Sequence, residues 1–144
     1  MSKLIFVNLP VADLDAAKAF YEAIGFTNNP QFTDETAACM VLSDVIHVML
    51  LTHTKFQEFT PREIADATKV SEVLIAISED SREGVDAVTD KALAAGGTEA
   101  RPKQDYGFMY SRSFADLDGH IWEPMWMDLA AATEAMAEPA TADA

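Results

Sequence analysis

A single cysteine, Cys39, stands in 144 residues, so no internal disulfide can staple the fold. No stretch comes near the roughly 20 apolar residues a helix needs to cross a bilayer. Met1-Ser2-Lys3 leads into only a short apolar run before Pro10 and Asp13, unlike a signal peptide. A cytoplasmic protein with no membrane partner is the expectation. Basic residues are scarce, 10 against 24 acidic ones, and a formal charge of -14 would repel phosphate backbones, so nucleic acid is not expected as a partner. Also missing are a glycine-rich phosphate loop, a nucleophile elbow with its Ser-His-Asp order, and paired cysteines at metal-binding spacing. Cys39 itself sits in an apolar run, where a thiol packs rather than reacts.

What is present is the balance of a packed globular domain: 49% hydrophobic and 24% charged residues, at a length that suits one domain. Leu4 to Val11 is rich in branched and aromatic residues and predicts a strand. Asp13 caps a helix over Leu14 to Ile24, with Leu14, Ala17, Tyr21 and Ile24 at helical spacing and Gly25 as its stop. Strands over Phe26 to Thr33, Ala37 to Leu42 and Ile46 to Leu51 follow, giving β-α-β-β-β. Thr52 to Val70 has little periodicity and predicts a connection with a helical turn. The order then restarts with a strand over Ser71 to Ile77 and a helix over Arg82 to Ala95, capped by Ser81 and stopped by Gly96-Gly97. Strands over Glu99 to Gln104, Phe108 to Ala115 and His120 to Met127 complete it.

Counting tests this repeat. Phe6 lies seven residues before the cap Asp13, as Leu74 does before Ser81, and Met49 lies five after Asp44, as Glu123 does after Asp118. The expected organisation is one domain over residues 1–128, with module one at 1–53, a connecting loop at 54–70 and module two at 71–128. An Ala-rich acidic tail at 129–144, containing Pro139, follows.

Three stretches, "VNLPVADLDAAKAFYEAIGF", "SREGVDAVTDKALAAGG" and "SFADLDGHIWEP", together with the repeat, resemble the vicinal oxygen chelate superfamily of glyoxalases, bleomycin- and fosfomycin-resistance proteins and extradiol dioxygenases. Within it the chain looks most like the lactoylglutathione-lyase-like group. The resemblance implies an α+β fold in which two βαβββ modules form a cupped, incomplete eight-stranded barrel with flanking helices. It also implies a cup that commonly holds a divalent metal on His, Glu or Gln from the first and last strand of each module. Those positions fall on Phe6, Met49, Leu74 and Glu123. Only Glu123 suits a hard or borderline ion, because Phe and Leu carry no donor and a thioether is soft. No metal and no other cofactor is therefore expected.

Strand alternation puts Ile121, Glu123 and Met125 on one face and His120, Trp122 and Pro124 on the other. In a hollow with Phe6, Met49 and Leu74, the Glu123 carboxyl suits proton transfer near neutral pH. The competing reading pairs it with Arg112 or Arg101 to hold the sheet together. His47 shares the inward face of Met49 and is the second catalytic candidate. Asn8, two residues after Phe6, suits a ligand carbonyl or hydroxyl, and Arg112 suits an anionic group. Asp116, Asp118 and Gly119 read as a hairpin turn rather than a calcium loop. The apolar outward surfaces ask for helix packing or a homodimer. Three functions remain open: a metal-independent isomerase or lyase acting on a small organic molecule through Glu123, a non-catalytic binder of a drug or metabolite, and a metal-dependent lactoylglutathione lyase.

Overall fold

A computed structural model describes residues 2–137. In module one, strand β1 (Ile5–Val11) leads to helix α1 (Leu14–Ala23), then β2 (Thr27–Asn29), a 3-10 turn (Pro30–Phe32), β3 (Ala37–Val41) and β4 (Ile46–Thr52). Helix α2 (His53–Gln57) opens the connection. Module two repeats the order with β5 (Ile75–Ser78), α3 (Arg82–Ala94), β6 (Thr98–Asp105), β7 (Met109–Ala115) and β8 (Ile121–Met127), and α4 (Leu129–Ala137) closes the described chain. Of the expected tail, residues 129–137 are thus helical, while Pro139 and the remainder lie outside the described residues.

Both helices start where side chains satisfy their first free amides: Asp13 accepts from the Ala16 N–H and Ser81 from the Gly84 N–H. Gly25 and Gly96, at φ 114° and 108°, let the chain turn out of each helix into the left-handed region. Two predicted strands are shorter than expected. Asn29 caps the 3-10 turn and Pro30 has no N–H to give a ladder, so β2 stops after three residues. Pairing of β5 begins only at Ile75, opposite Trp122, so Leu74 falls just outside the strand.

The sheets have the same strand order, β1-β4-β3-β2 and β5-β8-β7-β6, with the first and last strand of each module parallel. Asn8 stands beside Met49 and Ala76 beside Glu123, so the counted repeat survives in the register. The α+β architecture of two βαβββ modules is therefore as the sequence implied. The sheets share no ladder and do not close into a barrel: β1 and β5 each end a sheet.

One hydrophobic core joins the modules, made by the helix-bearing faces of both sheets. It contains Leu9, Phe20, Tyr21, Phe26, Val48 and Leu50 from module one with Ile77, Phe114 and Trp122 from module two. Tyr21 meets Trp122 edge-on at 5.9 Å between ring centres, and Phe26 meets it at 5.7 Å. Because side chains alternate along a strand, the opposite faces of the two sheets look away from this shared core.

Candidate functional site

Those outward faces carry almost all the residues the sequence singled out. On module one, a row across β1, β4 and β3 runs Phe6, His47, Val41, and the next runs Asn8, Met49, Cys39. Phe6 stacks on His47 with ring centres 4.5 Å apart and planes 21° off parallel. The Nδ1 atom of His47 is buried and has no hydrogen-bond partner. Burial alone pushes the Cys39 thiol up, which keeps it protonated and unreactive.

On module two, the row equivalent to Asn8, Met49, Cys39 is Ala76, Glu123 and, on the β7–β8 register set by Phe114 opposite Trp122, Ser113. Glu123 is half-buried between Ile121 and Met125 on the same face. It makes no ion pair or side-chain hydrogen bond with any described residue.

Arg112 needs correction. Its side chain suits an anion in the cup or a pair with Glu123, but it lies on the helix side of β7. There it bonds Asp86 at 3.1 Å and Asp90 at 3.0 Å, both on α3, and approaches Glu99 at 3.6 Å. Three carboxylates occupy it. Alternation explains the placement: Tyr110, Arg112 and Phe114 share a face, and Phe114 is fully buried in the core.

A second correction concerns enclosure. Phe6, Met49, Leu74 and Glu123 do not line the cavity of about 400 Å³ that forms between the modules in the single chain. It runs along the β1 edge under the connection and touches the two outward faces at Asn8 and Ile121, beside Phe56, Arg62, Val73 and His120. Asn8 is the sole nominated residue beside it. His120, which strand alternation places on the face opposite Glu123, donates from Nε2 to the Pro10 carbonyl at 2.7 Å and so ties the start of β8 to β1.

Sequence reasoning also missed a buried polar cluster next to the site. The Tyr21 hydroxyl donates to Asp116 at 2.5 Å, and the Trp122 indole N–H donates to the Tyr21 oxygen at 2.9 Å. Asp116 further accepts the backbone N–H groups of Asp118 and His120. Burial drives the Asp116 carboxyl up against the pull of His120 and these hydrogen bonds. It drives the Tyr21 hydroxyl up as well, with the Asp116 charge adding to the effect. Tyr21 was visible only as one residue of an apolar helix face, and Asp116 only as a turn residue.

A divalent ion does not fit. The repeat positions supply a phenyl ring, a thioether and an isobutyl group beside one carboxylate, and among the described residues no three His, Cys, Asp or Glu side chains converge on a point.

The family model described as bleomycin resistance protein-like N-terminal matches residues 3–43, most of module one. No curated protein matches the chain. Among solved structures, a hypothetical protein from S. aureus is 29% identical, with TM-score 0.73 over 88% of this chain and 95% of its own. A glyoxalase/bleomycin resistance protein/dioxygenase family enzyme from Burkholderia phytofirmans PsJN is 18% identical, with TM-score 0.71 over 88% and 99%. A fosfomycin resistance protein from Mesorhizobium loti is 19% identical, with TM-score 0.68 over 95% and 99%. The chain has the vicinal oxygen chelate fold. The superfamily resemblance drawn from its sequence is supported, and the βαβββ repeat is that fold's unit. The lactoylglutathione-lyase specifics find no such support, and the missing donors run against them.

Proposed function

We infer that the protein binds a small, partly apolar organic molecule in a hollow made by module one of one copy and module two of a second, with Glu123 as its acid or base. One observation carries this reading: Glu123 stands half-buried on an open face between Ile121 and Met125 and forms no ion pair or side-chain hydrogen bond with any described residue. Of the two arginines that could hold it in a sheet-stabilising pair, Arg112 is taken by Asp86, Asp90 and Glu99, and Arg101 forms no ion pair with it. A carboxylate left without a partner is free to meet a ligand's polar group or move its proton.

The second copy is needed because each outward face is half a container. The free edges carry exposed apolar side chains at matching positions of the repeat: Ile5 and Phe6 in β1, 54% and 50% exposed, and Val73 and Leu74 just before β5, 56% and 54% exposed. Unpaired sheet edges lined this way favour association. In a homodimer Phe6, Asn8, His47 and Met49 of one protomer face Leu74 and Glu123 of its partner. If turnover occurs, the chemistry within reach of one carboxyl and no metal is proton movement beside a carbonyl, as in an isomerase or lyase.

Glu123→Gln tests the catalytic role. The expected result is loss of turnover by roughly 100-fold or more with ligand affinity and melting temperature kept. Full activity in the variant removes Glu123 from the chemistry. Recovery of the ligand unchanged after prolonged incubation with the wild type identifies a drug- or metabolite-binding protein instead.

A further inference from the structure

The row that holds Glu123 extends one strand further, and there it meets an arginine that no ion pair claims. Edge strand β6 has two register irregularities, one between Glu99 and Arg101 and one between Arg101 and Gln104. Before the first, Glu99 stands opposite Phe114 on the helix side, where it reaches Arg112. Regular alternation would keep Arg101 on that same face, beside the acids of α3. The extra residue instead sets Arg101 opposite Ser113, on the outward face. Across β6, β7, β8 and β5 the row therefore reads Arg101, Ser113, Glu123, Ala76. Arg101 is exposed and forms no side-chain hydrogen bond or ion pair with any described residue.

Ser113, between the two charged groups, is an independent sign of an absent ligand. It is 2% exposed, and its hydroxyl is buried with no hydrogen-bond partner. Buried hydroxyls are almost always satisfied, so this one marks a place where a polar group is expected to arrive. Neighbouring strands lie about 4.8 Å apart, which sets the Arg101 and Glu123 backbones roughly 10 Å from each other. Both side chains can then close on one small molecule over Ser113.

We propose that Arg101, Ser113 and Glu123 form a recognition row for a small organic acid bearing a hydroxyl or amino group next to its carboxylate. The guanidinium takes the carboxylate through paired hydrogen bonds, Ser113 bonds the group between, and Glu123 accepts from the hydroxyl or amine. The apolar remainder of the ligand rests on Ile121 and Met125. This assignment rests on the proposed ligand-binding role of the Glu123 face and specifies what that face selects.

The test uses three aromatic probes of similar size in NMR-monitored titrations of the full chain: mandelate, phenylacetate and 2-phenylethanol. Mandelate is expected to bind most tightly, moving the backbone signals of Arg101, Ser113 and Glu123. Arg101→Gln is expected to weaken mandelate on the order of tenfold while leaving 2-phenylethanol unchanged, and Arg101→Lys to restore part of the loss. Ser113→Ala should reduce the preference for mandelate over phenylacetate. Equal binding of mandelate by wild type and Arg101→Gln, or no preference for the acids over the alcohol, overturns the recognition row. If the alcohol alone still shifts Glu123 and Met125, the underlying ligand-binding reading stands. If no probe shifts either residue, both fail.

Discussion

At the scale of single residues, position within the alternation matters more than residue type. Arg112 and Arg101 are the same side chain on neighbouring strands, yet one is fixed by three acids over α3 and the other faces outward beside Ser113. The sequence could name both as partners for Glu123 but could not choose a face, because Pro102 marks β6 as an edge strand or a bulge without fixing where the extra residue falls. The Tyr21, Asp116 and Trp122 cluster escaped for a related reason: its members are 95 and 101 positions apart and meet only after the modules pack. Tyr21→Phe leaves the Trp122 indole N–H without its acceptor and one Asp116 oxygen without its donor, in a fully buried place. The expected cost is about 1–3 kcal/mol of folding stability, read from urea denaturation. A change within error would show that the cluster contributes nothing net.

At the scale of elements, local rules read well where they act alone. Both helices begin at the caps the sequence showed, and six of the eight strands fall where the apolar alternation placed them. The connection was the least legible part, since its shape is set by contacts rather than by periodicity. It rests on the β7–β8 hairpin: Gly119 has φ 94°, and a Cβ there would lie 2.7 Å from the Ala67 carbonyl carbon and the Thr68 nitrogen. The same hairpin holds module one through Asp118, whose carboxylate accepts the Ala12 N–H at 2.9 Å, and through His120 on the Pro10 carbonyl. Gly119→Ala is therefore expected to cost more than the about 1–3 kcal/mol of a non-glycine residue in left-handed backbone, because the connection must also move. A melting temperature equal to wild type would show that the connection is not seated on this turn.

At the scale of the whole molecule, the sequence repeat implied two modules and the structure shows how they are joined. Their helix-bearing faces share one core, which the aromatic contacts of Tyr21 and Phe26 with Trp122 cement, and this turns the faces with Phe6 and Glu123 outward. No pattern in the chain could have told this arrangement from one in which both modules close a cup within the same protomer. Each module's internal contacts, and so its residue periodicity, are the same in both. The edges at Ile5, Phe6, Val73 and Leu74 are exposed in this arrangement, and the proposed second copy would cover them.

Mixing two inactive variants tests that claim most directly. Met49→Arg spoils only the module-one half of the hollow, and Glu123→Gln with Arg101→Gln spoils only the module-two half. If each hollow is built from two copies, denaturing and refolding the variants together creates mixed dimers with one intact hollow, and a fraction of sites with wild-type affinity for mandelate returns. If each hollow lies within one chain, every hollow in the mixture keeps a defect, and no site of wild-type affinity appears.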